Sequence, residues 1–520
     1  MRDPRLAVAV LLLLASAAHP WAAAGPLIPG PPGAGPGAVT LLIHSGIALP
    51  YSLMDLRGVV ERLLSRADTR IVTRAADSVN ESDIRGADYV VLLGIEPWPD
   101  GGLLSMIDPA KPLLVCGLPP PGAQSWPGCD AFRKFPPKAE SWQAASVSIG
   151  SSSFPADVVW LLPAKPVADA ADAGALAGVT RGEMKAPLAW RSGKTFWFAA
   201  LPLGDPMGFV FSGILPSFFG LQDAGASGVV LAVEDLDIRS DPATLRRIAD
   251  MLAGRNIPFV AAVRMPGADA DPARAHAFVT ALQYAQARRG RIFLIPRAGH
   301  LWDVAPDRPP SAADVDAVIT GLREDFVRAV ANGLLPVGVR LPESGLSASA
   351  AARVGESFSL GLAIAQASDA TALATFSPGT ITRVAGTLAV IPASPWFQPG
   401  QSESAATARN LLRMPGTVLH VAAPGWMAFR DMGKIIESAT ALDAPFLDAA
   451  DAAVSVSTGR GALWTAAAGR FTPDFSGRAV LSTYDARAQS VSSREIDVEA
   501  GKPLEEDDAA MHTLIPCERP

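Results

Sequence analysis

Cysteine and histidine are scarce in this chain. Its 520 residues hold three Cys and six His: His19, His44, His276, His300, His420 and His512. A Cys-rich zinc module is excluded, and any imidazole-based metal site or triad must be assembled from these few rings. Basic residues form no run longer than two, and 44 Lys and Arg against 51 Asp and Glu give a formal net charge of −7. Nucleic-acid binding needs clustered positive charge to neutralise phosphates, so no nucleic-acid partner is expected. The chain also lacks a Gly-x-Ser-x-Gly elbow, a P-loop, a His-Glu-x-x-His element and a Gly-x-Gly-x-x-Gly after its first strand. The common serine-hydrolase, zincin and nucleotide readings fall away, and neither a nucleotide nor a flavin cofactor is expected.

What is present begins with export grammar. MRDPRLAVAVLLLLASAAHPWAAAG has a short basic start, an apolar stretch from Leu6 to Ala18, and small residues at Ala22 and Ala24. It reads as a signal peptide over 1–24, because the apolar stretch is shorter than the roughly 20 residues a spanning helix needs. The protein is expected to be exported, to a periplasmic or extracellular destination. That compartment permits disulfides, and Cys116 and Cys129 flank the Pro/Gly-rich GLPPPGAQSWPG, which makes a bridge between them feasible.

The length accommodates two or three domains of roughly 100–200 residues. Residues 25–38 are a Pro/Gly linker. From Val39, apolar strands (VTLLIH, YVVLLG, PLLVCG) alternate with an amphipathic helix (SLMDLRGVVERLLSR), the signature of a parallel sheet. A Rossmann-like or flavodoxin-like α/β domain is expected over 39–145. His44 ends its first strand, where α/β folds carry chemistry, but no partner for it is evident. Residues 146–225 read as a β-rich insert and connector, with PLAWRSGKTFWFAALP a hairpin turning at Ser192-Gly193-Lys194. Its Trp190, Arg191, Trp197 and Phe198 suit either a sugar-stacking platform or cross-strand packing. From residue 226 to 455, βα units repeat at larger scale and predict a distorted (β/α) barrel. The Asp241-Pro242 pair predicts a helix start, Gly254 or Asn256 its end, and Leu245, Ile248, Ala249 and Leu252 its buried stripe. Residues 456–520 read as a weakly structured tail, with GKPLEEDDAA acidic and disordered.

The segment VVLAVEDLD carries the most chemistry. An apolar strand ending in Glu234, Asp235 and Asp237 places carboxylates at a barrel's C-terminal rim, as a base with a metal ligand or as an acidic cap on the following helix. Segments just past barrel strands also carry Trp302, Trp396 and Trp426, which suit either a ring around the mouth or simple packing.

Val230 to Val263, with the surrounding order from 39 to 451, resembles polysaccharide deacetylase-like proteins, in particular an exported domain-of-unknown-function branch of that superfamily. The likeness includes WRSGKTFWFAALPLG and the closing TVLHVAAPGWMAFRDMGKIIESATALDAPFLDAADA. It implies a distorted (β/α) barrel and metal-dependent removal of acetyl groups from glycans. By that resemblance Glu234 stands at the base position, Asp235 at a metal position and His420, closing TVLH, at the late general-acid position. The His-x-x-x-His element falls on Pro296 to His300, so that His300 remains a ligand and Pro296 replaces the other. Asp237 or Asp303 is then the residue to complete the shell of one divalent ion, Zn or Mn/Fe. Arg340 and Glu343, with Trp302 and Trp426, fall along the substrate groove. The implied partners are a polysaccharide or acetylated glycan and envelope or exopolysaccharide assembly proteins. The implied function is a deacetylase-like protein acting on such a glycan, or a catalytically inactive glycan-binding or scaffold subunit.

Overall fold

The computed structural model describes chiefly residues 38–45, 69–94, 102–123, 184–202, 207–220, 227–296, 312–341, 399–413, 417–425, 429–449, 476–485 and 487–505, with shorter strand segments between them. The signal peptide and Pro/Gly linker expected over 1–38 lie, but for residue 38, outside the described residues. No helix among the described residues is long and apolar enough to cross a membrane.

The first region contains β1 (Val39–His44), β2 (Arg70–Ala75), α1 (Glu81–Arg85), β3 (Tyr89–Gly94), β4 (Leu113–Gly117), β5 (Ser146–Ile149), β6 (Ser152–Pro155), β7 (Ala175–Arg181), β8 (Met184–Ser192), β9 (Thr195–Phe198) and α2 (Met207–Phe219). All nine strands join one sheet in the order β2-β1-β3-β4-β9-β8-β7-β5-β6. The half from β2 to β9 is parallel and the half from β9 to β6 antiparallel. The expected α/β domain and β-rich insert are therefore one mixed sheet. All four residues of β9 are buried, so it suits the interior of a sheet, and its pairing with β4 covers an edge that would otherwise stay open. The predicted hairpin forms between β8 and β9, with Gly193 at φ +62°. Trp190 and Trp197 pair across it with ring centroids 6.1 Å apart, both buried, so they serve packing.

The second region contains β10 (Gly228–Leu236), α3 (Pro242–Gly254), β11 (Phe259–Val263), α4 (Pro272–Gln286), β12 (Gly290–Leu294), α5 (Ala312–Ala331), β13 (Pro336–Arg340), β14 (Leu360–Leu362), β15 (Thr382–Val384), β16 (Leu388–Ile391), α6 (Ser402–Leu412), β17 (Val418–Pro424) and α7 (Phe429–Thr440). The strand order is β15-β16-β14-β13-β12-β11-β10-β17, parallel throughout except for β15. Asp241 caps α3 through the backbone N–H groups of Ala243 and Thr244, and the predicted stripe is buried. Asn256, at φ +56°, takes the left-handed position after the helix. Along β10, Val229, Leu231 and Val233 face the helices, whereas Val230 and Ala232 face a second, concave cluster with Val260, Ala262 and Phe293.

The sheet curls into a half-barrel flanked by helices, which is the coarser part of the expected distorted (β/α) barrel. Among the described strands β17 pairs only with β10, and β15 only with β16. A side chain from just past β16 reaches the seam instead: Ser394 Oγ accepts the backbone N–H of His420 in β17 at 3.2 Å.

The predicted weak tail is corrected. Strands β18 (Ala462–Thr465), β20 (Gly477–Asp485), β21 (Ser490–Val498) and β23 (Ala510–Pro516) form an antiparallel sheet, while β19 (Arg470–Phe471) pairs with β22 (Leu504–Glu505) inside the supposed acidic disorder. Alternation explains it: Ala479 and Leu481 make a small core on one face, and Tyr484 and Met511 join the concave cluster of the half-barrel from the other. Beside them, Arg291 of β12 donates from Nη2 and Nε to Asp448 at 2.5–2.9 Å.

Candidate functional site

The site grows from the end of β10. Glu234 continues the inward phase set by Val230 and Ala232, so its carboxylate lies under the rim and is buried. Between Val233 and Leu236 the register against β11 shifts, a bulge that adopts φ +56° at Asp235 and returns Leu236 to the helix-side core. The bulge is held from just past β17, where Gly425 donates its N–H to the Glu234 carbonyl at 2.6 Å. A Cβ on Gly425 would come within 2.7 Å of that oxygen and 2.6 Å of Leu236 Cδ2, so the approach requires glycine.

His420 does not close its strand, as TVLH suggested, because β17 runs on to Pro424. The ring lies inside the half-barrel, with Nε2 3.4 Å from Glu234 Oε1. That is an ion-pair distance, long for a formed hydrogen bond, and neither atom has another hydrogen-bond partner among the described residues. Burial pushes the Glu234 carboxyl up, but His420 and Arg340 outweigh it and hold the carboxyl below its usual range.

The other two acids are engaged by arginines. Arg340, the last residue of β13, ion-pairs through Nη1 with Asp235 Oδ1. The Arg340 side chain is 13% exposed and that of Asp235 43%. Asp237 forms a local turn: its Oδ1 accepts Arg239 N–H at 2.8 Å, and its Oδ2 accepts Arg239 Nε and Nη2 at 2.9 and 2.6 Å. Partial burial pushes Asp237 up, and the Arg239 bonds overcome this to hold it below the usual carboxylate range. Pro296 offers its carbonyl to Arg264 Nε at 3.3 Å.

Structure thus brings together Glu234, His420, Asp235 and Arg340, and leaves Asp237 occupied beside them. His300, Trp302, Asp303, Glu343 and Trp426 lie outside the described residues. Cys116 is a free, fully buried thiol of β4 whose pKa burial pushes well up; Cys129 lies outside the described residues. No group of three or more His, Cys, Asp or Glu able to hold a metal occurs among the described residues. A divalent ion does not fit the arrangement around Asp235: a guanidinium that stays charged touches the carboxylate meant to bind it.

A cleft of about 680 Å³ opens beside Asp235, lined among others by Asp237, Arg239, Ser240, Asp241, Arg264 and Phe429. Sequence reasoning missed Arg264. Its signal was the one that flagged Glu234, a charged residue directly after an apolar parallel strand, here FVAAV. No family model matches this chain, and no curated protein matches it.

Proposed function

We propose that this protein is an exported, deacetylase-like glycan-binding protein, without catalytic metal, that serves a cell-envelope or extracellular polysaccharide system as a binding or scaffold component. One observation carries the reading: Arg340 ion-pairs with Asp235 at the rim of the parallel sheet. A guanidinium has only donors and keeps its charge, so it satisfies the carboxylate and repels a dication from it. The turn around Asp237 and the Arg264 bond to Pro296 support the same reading, since each places an arginine where the resemblance calls for a metal ligand. The glycan class comes from the resemblance, and the mixed polar and aromatic cleft at the strand ends supports it.

The test is metal analysis of the purified protein, followed by assays of acetate release and binding on acetylated glycans. The expected result is glycan binding without stoichiometric metal or acetate release. Stoichiometric metal that disappears in Asp235→Ala, accompanied by acetate release, overturns it. A second reading, a hydrolase, draws on the buried Glu234–His420 contact, which has the composition of a base and its partner. Acetate release abolished by Glu234→Gln would favour that reading.

A further inference from the structure

Resting on the glycan-binding reading, we propose that the cleft beside Asp235 selects a carboxylate-bearing sugar, bound through Arg264. The argument is a count of hydrogen-bonding capacity. The three carboxylates of the cleft are occupied: Asp235 by Arg340, Asp237 by Arg239, and Asp241 by the N–H groups of Ala243 and Thr244 and the Thr244 hydroxyl. Arg264 differs. Among the described residues its guanidinium has no carboxylate at ion-pair distance, and its one hydrogen bond runs from Nε to the Pro296 carbonyl.

Among the described residues both Nη nitrogens therefore remain for a ligand, and their planar N–H pair matches the two oxygens of a carboxylate. Ser240 adds a donor: its Oγ accepts the Asp237 N–H at 3.1 Å, which leaves the hydroxyl proton to point elsewhere. What the cleft still offers is thus a paired donor without a paired acceptor. A neutral sugar would leave Arg264 with only the longer-range attraction of Asp237, whereas a uronate supplies a two-oxygen partner on a ring that the cleft, about 680 Å³, can hold.

The experiment titrates the full chain calorimetrically with oligogalacturonate and with its methyl ester of equal length, so that only the charge differs. The expected result is that the acid binds about tenfold tighter or more, by an advantage that shrinks as salt is raised. Arg264→Gln should abolish the preference, while Arg264→Lys, which keeps the charge and loses the planar fork, should retain part of it. Thermal melting of both variants checks that they fold. Equal binding of acid and ester, or a preference that survives Arg264→Gln, overturns the proposal and leaves glycan binding standing. Failure of the acid, the ester and neutral acetylated glycans alike overturns both.

Discussion

Two arginine–aspartate pairs sit at opposite ends of the same parallel sheet. Arg291 near the start of β12 holds Asp448 at the floor, and Arg340 at the end of β13 holds Asp235 at the rim. The chemistry is the same and the setting differs. The Asp448 side chain is 2% exposed, beside the C-terminal sheet that covers the concave face, whereas that of Asp235 is 43% exposed and borders an open cleft. A pair buried at the floor contributes by not leaving a charge unpaired, while a pair at the rim adds little to stability and instead sets which ligand its carboxylate can meet.

The comparison breaks most readily at the floor. Asp448→Ala removes the buried carboxylate that Arg291 meets at 2.5–2.9 Å and should lower unfolding free energy by about 3–5 kcal/mol, read from urea denaturation. Replacing both partners, as Arg291→Met with Asp448→Leu, should recover much of that loss, because no charge is then left without a partner. A loss below about 1 kcal/mol in the single variant would make the floor equivalent to the rim and remove the contrast.

Between the two poles lies Glu234, buried like the floor pair but adjacent to the rim. Glu234→Gln removes the charge that faces His420 Nε2 and should lower stability at neutral pH by about 1–3 kcal/mol. The pH dependence has a definite sign. The folded carboxyl is held below its ordinary value of 4.5, so its contribution is fully present above that value and is lost as pH falls through the lowered folded pKa. Urea midpoints measured from pH 6 downward should therefore decline in the native protein and decline less in Glu234→Gln. Parallel curves would place the acid sensitivity elsewhere.

Local rules were legible and distant pairings were not. Asp241-Pro242 marked a helix start, Ser192-Gly193-Lys194 a hairpin, and the acids after VVLAV a rim, because each is written within a few adjacent residues. Asp235 meets Arg340 across 105 residues, and Arg291 meets Asp448 across 157, so neither partner follows from spacing. The joining of β9 to β4 depends on which edge remains open after the first strands assemble, a property of the sheet and not of the TFWF segment. The polar strand SVSSREIDV lacks a strong apolar alternation, and only its antiparallel pairing with β20 makes it a strand. His420 was misplaced within its strand because AAP, which extends it, reads as a loop opening as readily as a strand end.

The smallest expected change in stability comes from the rim, and it is the most informative about function. Arg340→Gln removes a guanidinium from a carboxylate that already meets solvent, so the loss from that pair should be about 0–1 kcal/mol, with the weakened support of the Glu234 carboxylate added to it. The ligand chemistry should change far more than the stability. With the guanidinium gone, Asp235 keeps its bulged position, because the φ of +56° and the Gly425 bond to the Glu234 carbonyl depend on the backbone of β10 and of the residue just past β17. Its oxygens then become available to a divalent cation, and Zn or Mn titrated by calorimetry should bind the variant more tightly than the native protein. Equal, weak binding by both proteins would mean that Arg340 is not what keeps a dication from this carboxylate. Tight binding by the native protein would reverse the contrast itself, since the rim pair would then yield to a metal while the floor pair stays closed.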